Sequence, residues 1–136
     1  MYKSILLPID PSEMERGKAM IDVAQKLAGK DTRIRLLTVV VDIPAFVAAQ
    51  VPDGIIKTAM STARETLEGL IGAAGLKADA EVRSGKPGST ILTSADECGA
   101  DLIIIGSHKP GLEDYFLGST ASRVVRHAQC SVLVMR

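Results

Sequence analysis

The chain has no tryptophan, only two phenylalanines and only two tyrosines, so aromatic side chains cannot dominate its core. Cysteine is as scarce. Cys98 and Cys130 are too few and too scattered for a disulfide framework or a zinc cluster, and their apolar neighbours predict reduced, mostly buried thiols. No charge sign is in excess, with 16 Lys plus Arg against 16 Asp plus Glu. That balance excludes the marked basic surplus of a dedicated nucleic-acid binder. No apolar run approaches the ~18 residues of a membrane span. Met1–Pro8 has no charged leader followed by a long apolar stretch, as a signal peptide would. These absences predict a cytoplasmic protein with neither nucleic acid nor membrane as partner.

What is present is aliphatic: 46% of the 136 residues are hydrophobic, enough to build a core in one domain over residues 1–136 without a staple. Short apolar runs alternate with longer stretches of helical period. Ser4–Leu7, Ile34–Val41, Ala78–Arg83, Leu102–Ile105 and Val132–Met135 read as strands. The third alternates small or apolar with charged residues, as a half-exposed edge strand does. Leu102–Ile105 is the most apolar and is expected at the sheet centre.

Four helices fall between the strands. The first is expected to open on a Ser12–Glu15 capping box, carry Met20, Val23, Ala24 and Leu27 on its apolar face, and stop at Gly29. The second runs from about Gly54 to Ala74 with Ile56, Ala59, Met60, Ala63, Leu67, Leu70 and Ile71 inward, ending at Gly75. A third begins near Ser89 with Ile91, Leu92, Ala95 and Cys98 inward and stops at Gly99. A last helix after Gly118 presents Ala121, Val124, Val125 and Ala128, with His127 suiting the dipole of its final turn. The β-α-β-α-β-α-β-α-β order predicts an α/β fold: a doubly wound, five-stranded parallel sheet of order 3-2-1-4-5 with helices on both faces.

In such a sheet ligands bind beyond the carboxyl ends of the strands where the winding reverses, here between the first and fourth strands. Topology therefore selects Pro8-Ile9-Asp10 and the loop from Gly106 to Gly118. The second has the chemistry for phosphate. Gly106 admits close approach to the backbone, and Gly118-Ser119-Thr120 opens a helix whose free N–H groups and partial positive charge favour an anion. On spacing alone, both glycines also read as plain turn residues.

Gly106-Ser107-His108, then Gly118-Ser119, Val124-Val125-Arg126-His127-Ala128 and Cys130-Ser131-Val132-Leu133-Val134 resemble the signature region of the universal stress protein family. Ile5-Leu6-Leu7-Pro8-Ile9-Asp10 resembles that family's first strand and acidic turn, and the likeness spans the chain. Nucleotide-binding members carry Gly-x-x-Gly, nine residues, then Gly-Ser or Gly-Thr. Here Lys109 holds the second glycine position, and 8 residues separate it from Gly118. Ser107-His108-Lys109-Pro110 with Tyr115-Phe116-Leu117-Gly118-Ser119 looks like the F/G-type subgroup, similar to the ATP-binding branch.

The resemblance implies ATP, or alternatively AMP or ADP, as ligand, with any Mg2+ carried by the phosphates. It implies that Pro8, Ile9 and Asp10 border adenine and ribose, with Asp10 as a hydrogen-bond acceptor, and that Val39 meets the adenine edge through its backbone. Gly106, Gly118, Ser119 and Thr120 are implied to hold ribose and phosphates. His108 shapes the pocket on this reading, with general acid–base chemistry as the alternative. Lys109 reads equally as a charge-assisted phosphate contact or a solvated loop lysine. The resemblance also implies a homodimer through the last strand, Val132–Met135.

Ser84-Gly85-Lys86-Pro87-Gly88-Ser89-Thr90 imitates a P-loop but lacks the first glycine and has Pro87 in place of the hydroxyl residue. Pro87 instead pre-sets the start of a helix. Three functions fit the residues: a nucleotide-binding stress-response or signalling dimer, a slow ATP hydrolase or self-phosphorylating protein, and a nucleotide-free dimeric partner protein. No catalytic residue is identifiable.

Overall fold

The computed structural model describes residues 1–42, 44–52, 54–107 and 117–136. The elements are β1 (Tyr2–Pro8), α1 (Met14–Leu27), β2 (Ala28–Val41), α2 (Ala45–Ala48), α3 (Ile55–Ala73), β3 (Asp79–Gly85), α4 (Pro87–Cys98), β4 (Leu102–Gly106), α5 (Ser119–His127) and β5 (Ser131–Met135). All five strands are parallel in one sheet of order β3-β2-β1-β4-β5, as expected from the alternation. β4 is interior but flanks the centre. The middle strand is β1, whose Ser4–Leu7 segment is fully covered.

Successive side chains of a strand point to opposite faces, and that alternation divides the core in two. Ile5 and Leu7 of β1, Ile34 and Leu36 of β2, and Leu102 and Ile104 of β4 pack with Met20, Ile21, Ala24, Leu67 and Leu70 from α1 and α3. Leu6, Leu37, Ile103 and Ile105 face the other way, onto Ile91 and Ala95 of α4 and Ala121 and Val124 of α5. Helices thus cover both faces, which is why the central runs Ile5–Leu7 of β1 and Leu102–Ile105 of β4 are apolar without interruption.

Several local expectations are corrected. The Ser12–Glu15 capping box does not form, because the Asp10 carboxylate captures both the Ser12 hydroxyl at 2.7 Å and its N–H at 2.9 Å; α1 then starts at Met14 with no side-chain cap. Gly29 is not a left-handed stop: α1 passes straight into β2 through an extended Ala28. β2 therefore begins six residues before Ile34, across a register irregularity opposite Tyr2 and Ser4. Ile56 and Val125 are 42% and 45% exposed and not inward, and both cysteines are half-buried free thiols. The helix stops at Gly75 and Gly99 are as expected, with φ of 60° and 64°, and His127 lies in the last turn of α5.

Candidate functional site

A cavity of about 560 Å³ opens at the carboxyl ends of β1 and β4, where the winding reverses. That is within the usual range for a small-molecule site. Its floor is the end of the sheet. Pro8, Ile9 and Asp10 come from the turn after β1, Leu37, Val39 and Val41 from β2, and Ile105, Gly106 and Ser107 from β4 and the residue beyond it. Its walls are three helix starts. α1 contributes Arg16, Gly17 and Met20, α4 contributes Pro87 and Ile91, and α5 contributes Ser119, Thr120 and Ala121, with Gly118 before it.

The turn after β1 is held from both sides. The Ile9 N–H donates to the Leu37 carbonyl at 2.7 Å, and the buried Thr38 hydroxyl donates to the Ile9 carbonyl at 3.0 Å. Ile9 itself is buried, so its backbone is pinned where the chain leaves the sheet. Asp10 follows in a tight turn, its Oδ1 accepting from Ser12 and its carbonyl from the Glu13 N–H at 2.9 Å.

Backbone polarity singles out Val39. The Leu37 carbonyl faces β1, and the last β1 pairing is Pro8↔Leu37. Backbone groups two residues apart on a strand point the same way. The N–H and C=O of Val39 therefore point to the β1 side, past the end of β1, into the cavity that Val39 lines.

The phosphate-like corner is set by another short bridge. The Ser107 N–H donates to the Met135 carbonyl at 2.8 Å, and the Gly118 N–H donates to the Ser107 carbonyl at 2.6 Å. This brings the start of α5 against the end of β4. α5 has no side-chain cap, and its first-turn N–H groups lack intrahelical partners by construction. Ser119 and Thr120 lie on the cavity wall at that point.

Of the residues expected from sequence, Pro8, Ile9, Asp10, Val39, Gly106, Gly118, Ser119 and Thr120 meet in this one cavity. His108 and Lys109 lie outside the described residues. Pro87, in the P-loop-like segment, lines the same cavity but as the first residue of α4. Sequence reasoning missed the α1 wall and Ile91. Met20 and Ile91 carry the periodicity of core residues, and Arg16 has the pattern of an exposed helical charge; only the three-dimensional packing reveals that face as a wall. Among the described residues, no group of three His, Cys, Asp or Glu side chains gathers into a metal site. Nor is any helix among them long and apolar enough to cross a membrane.

A family model described as the universal stress protein family matches residues 1–136. Universal stress protein G of Salmonella typhimurium is 34% identical over 143 aligned positions, covering 100% of both chains. The solved structure of the hypothetical protein MJ0577 superposes with a TM-score of 0.81 at 27% identity, covering 99% of this chain and 96% of that one. A universal stress protein in complex with cAMP superposes with a TM-score of 0.69 at 21% identity, covering 99% and 97%.

Proposed function

This chain belongs to the universal stress protein family, with G-type members among its relatives, and from that premise we propose that its cleft binds an adenine nucleotide, ATP in particular. One observation carries the reading: the uncapped start of α5 and the backbone of Val39 open into the same cavity at the switch point of the sheet. The cavity is two-ended in its chemistry. Val39, backed by the buried Leu37 and Ile91, makes an apolar part suited to a flat base, and the outward N–H and C=O of Val39 offer a donor and an acceptor to the base edge. Ser119 and Thr120, which follow Gly118, provide N–H groups, hydroxyls and the positive end of a helix for phosphate oxygens. Asp10 also lines the cavity; its Oδ1 is committed to Ser12, which leaves Oδ2 for a ribose hydroxyl.

At 21% identity the likeness to the cAMP complex speaks for the fold, so the ligand class rests on the cleft's own chemistry. On this reading the phosphates carry any Mg2+. His108 and Lys109, which follow β4 in the sequence, are proposed to take part in holding the ligand. The protein acts in the cytoplasm as a stress-response or signalling module, a homodimer through β5 whose state reports nucleotide occupancy.

The test is to denature freshly purified protein, identify any released nucleotide, and titrate the stripped protein with ATP by calorimetry. Saturable binding that weakens in Asp10→Ala and Ser119→Ala supports the reading. Absence of both released nucleotide and heat at millimolar ATP overturns it.

A further inference from the structure

We propose that Arg16 is the cation that reads the phosphate chain, making the cleft favour a nucleoside triphosphate over the monophosphate; this rests on the adenine-nucleotide reading above. Arg16 is half-buried, on the cavity wall one turn before Met20. Its stem lies flat across Gly106 at the end of β4. A Cβ added to Gly106 would stand 2.6 Å from Arg16 Cδ, 3.3 Å from Nη1 and 3.6 Å from Nε. The missing side chain at Gly106 thus makes room for the arginine.

Placement puts this guanidinium beside the anion-binding corner. Gly106 is followed by Ser107, whose carbonyl accepts the Gly118 N–H at the start of α5. The arginine and the helix N-terminus therefore flank the same stretch of backbone. Charge favours the pairing. Among the described lining residues Asp10 and Glu13 are acidic and Arg16 is basic. The end of a helix is equivalent to only roughly +0.5 charge, too little for a triphosphate in a cleft that already holds two carboxylates. A guanidinium has five N–H donors in a planar fork that matches phosphate oxygens. Each added phosphate increases the negative charge that Arg16 meets, so its contribution should grow from AMP to ATP.

The experiment compares wild type, Arg16→Gln, Arg16→Lys and Gly106→Ala by calorimetric titration with ATP, ADP and AMP at two salt concentrations, after thermal melts establish that each is folded. Wild type should bind ATP most tightly. Arg16→Gln should weaken ATP about tenfold or more, as loss of a charge-assisted hydrogen bond does, and AMP less than about threefold. Arg16→Lys should fall between, and Gly106→Ala, which displaces the arginine stem, should share the ATP-selective loss. Equal weakening of all three nucleotides by Arg16→Gln, or none, overturns the role of Arg16 while leaving the nucleotide site standing. If wild type binds none of the three, the nucleotide reading falls and this inference with it.

Discussion

The Asp101 carboxylate accepts the backbone N–H of Ser4 at 2.9 Å through Oδ1, and that of Lys3 at 2.8 Å through Oδ2. β4 pairs with β1 only from Ile5↔Leu102 onward, so these two N–H groups at the start of the central strand would lack a partner on that side. The Asp101 N–H returns a bond to the Ser4 carbonyl at 2.9 Å, extending the ladder by a side chain where the strand is short. Donation from Lys3, outweighing a partial burial that acts the other way and joined by donation from Ser4, holds the Asp101 carboxyl below its ordinary 3.8. A carboxyl lowered in the folded state stabilises the fold above its unfolded pKa and stops doing so as pH falls through the folded value. Asp101→Asn should therefore cost about 1 kcal/mol at neutral pH, since the site is largely solvated. The gap to wild type should close below ~pH 4. Urea denaturation of both proteins from pH 7 downward measures it; a gap constant with pH would remove the charge from the argument.

Glu81 organises the opposite end of the sheet. It accepts from Arg35 at 2.7 Å, from Arg83 at 2.6 Å and from the fully buried Ser94 hydroxyl at 2.7 Å, while Arg83 also pairs with Glu97. Burial by itself would raise the Glu81 carboxyl, yet the Ser94 hydroxyl and the Arg83 and Arg35 guanidinium groups outweigh it and bring it below its usual value. The cluster ties β2 and the edge strand β3 to α4. Glu81→Ala leaves the Ser94 hydroxyl and Arg35 without this acceptor and should cost about 2 kcal/mol, less than a fully buried pair would because the arginines are partly solvated. Ser94→Ala, which removes one charge-assisted hydrogen bond and leaves Glu81 its two arginines, should cost about 1.5 kcal/mol. Thermal or urea melts of the two variants check the order, and a milder loss in Glu81→Ala than in Ser94→Ala would contradict it.

The strand order and the two loops that build the cleft were legible because both follow from long-range rules: apolar runs covered on both faces, and ligand loops at the reversal of winding. The stops at Gly75 and Gly99 were legible for a local reason, a positive φ that glycine adopts without strain. What failed was competition between local signals. Ser12 has the residue type of a helix cap, but Asp10, two residues earlier, offers a charged acceptor that a neutral capping bond does not match. Ala28–Arg33 is too polar to read as a strand, and its start pairs with β1 only across an irregularity, Tyr2 opposite Ala28 and Ser4 opposite Arg33. The Arg16 wall was illegible because helical periodicity says which side faces the core and nothing of where the core ends and a cavity begins.

Two glycines of the pseudo-P-loop segment are required by packing, and their substitutions should differ in kind. Gly85 has φ of 150°, a conformation that side chains rarely adopt, and a Cβ there would lie 2.5 Å from Thr90 Oγ1. Gly85→Ala combines backbone strain with a clash and should cost about 2–3 kcal/mol. Gly88 is helical, so alanine there gains up to ~1 kcal/mol of propensity. Its Cβ, however, would press on Arg123 Cδ at 2.6 Å and on Cβ and Cγ at 3.2 Å. The Arg123 Cβ belongs to α5 and cannot swing aside, so α4 and α5 must part. Overpacking of about 1–3 kcal/mol exceeds the propensity gain, and Gly88→Ala should be mildly destabilising. A Gly88→Ala protein more stable than wild type in urea would show that α4 and α5 yield freely.

The edge strand β5 carries the prediction for assembly. Its ladder with β4 runs from Leu102↔Ser131 to Gly106↔Met135, and its other side is the border of the sheet. Val132 and Val134 pack inward against the α4–α5 half of the core, whereas Leu133 is 36% exposed. A β-branched, uncharged edge with an outward leucine is a template for another strand, and isolated proteins blunt such edges with lysine. The sequence of β5, Ser131–Met135, has no charge at all. If the proposed homodimer forms through this edge, Leu133→Lys should convert it to monomer while leaving the melting temperature of the monomeric fold little changed, because the replaced side chain is already in part outside the core. Sedimentation velocity at ~50 μM, within the common micromolar affinity range, distinguishes the outcomes. A wild-type monomer at that concentration would remove the dimer, and a Leu133→Lys dimer would place the interface on another surface.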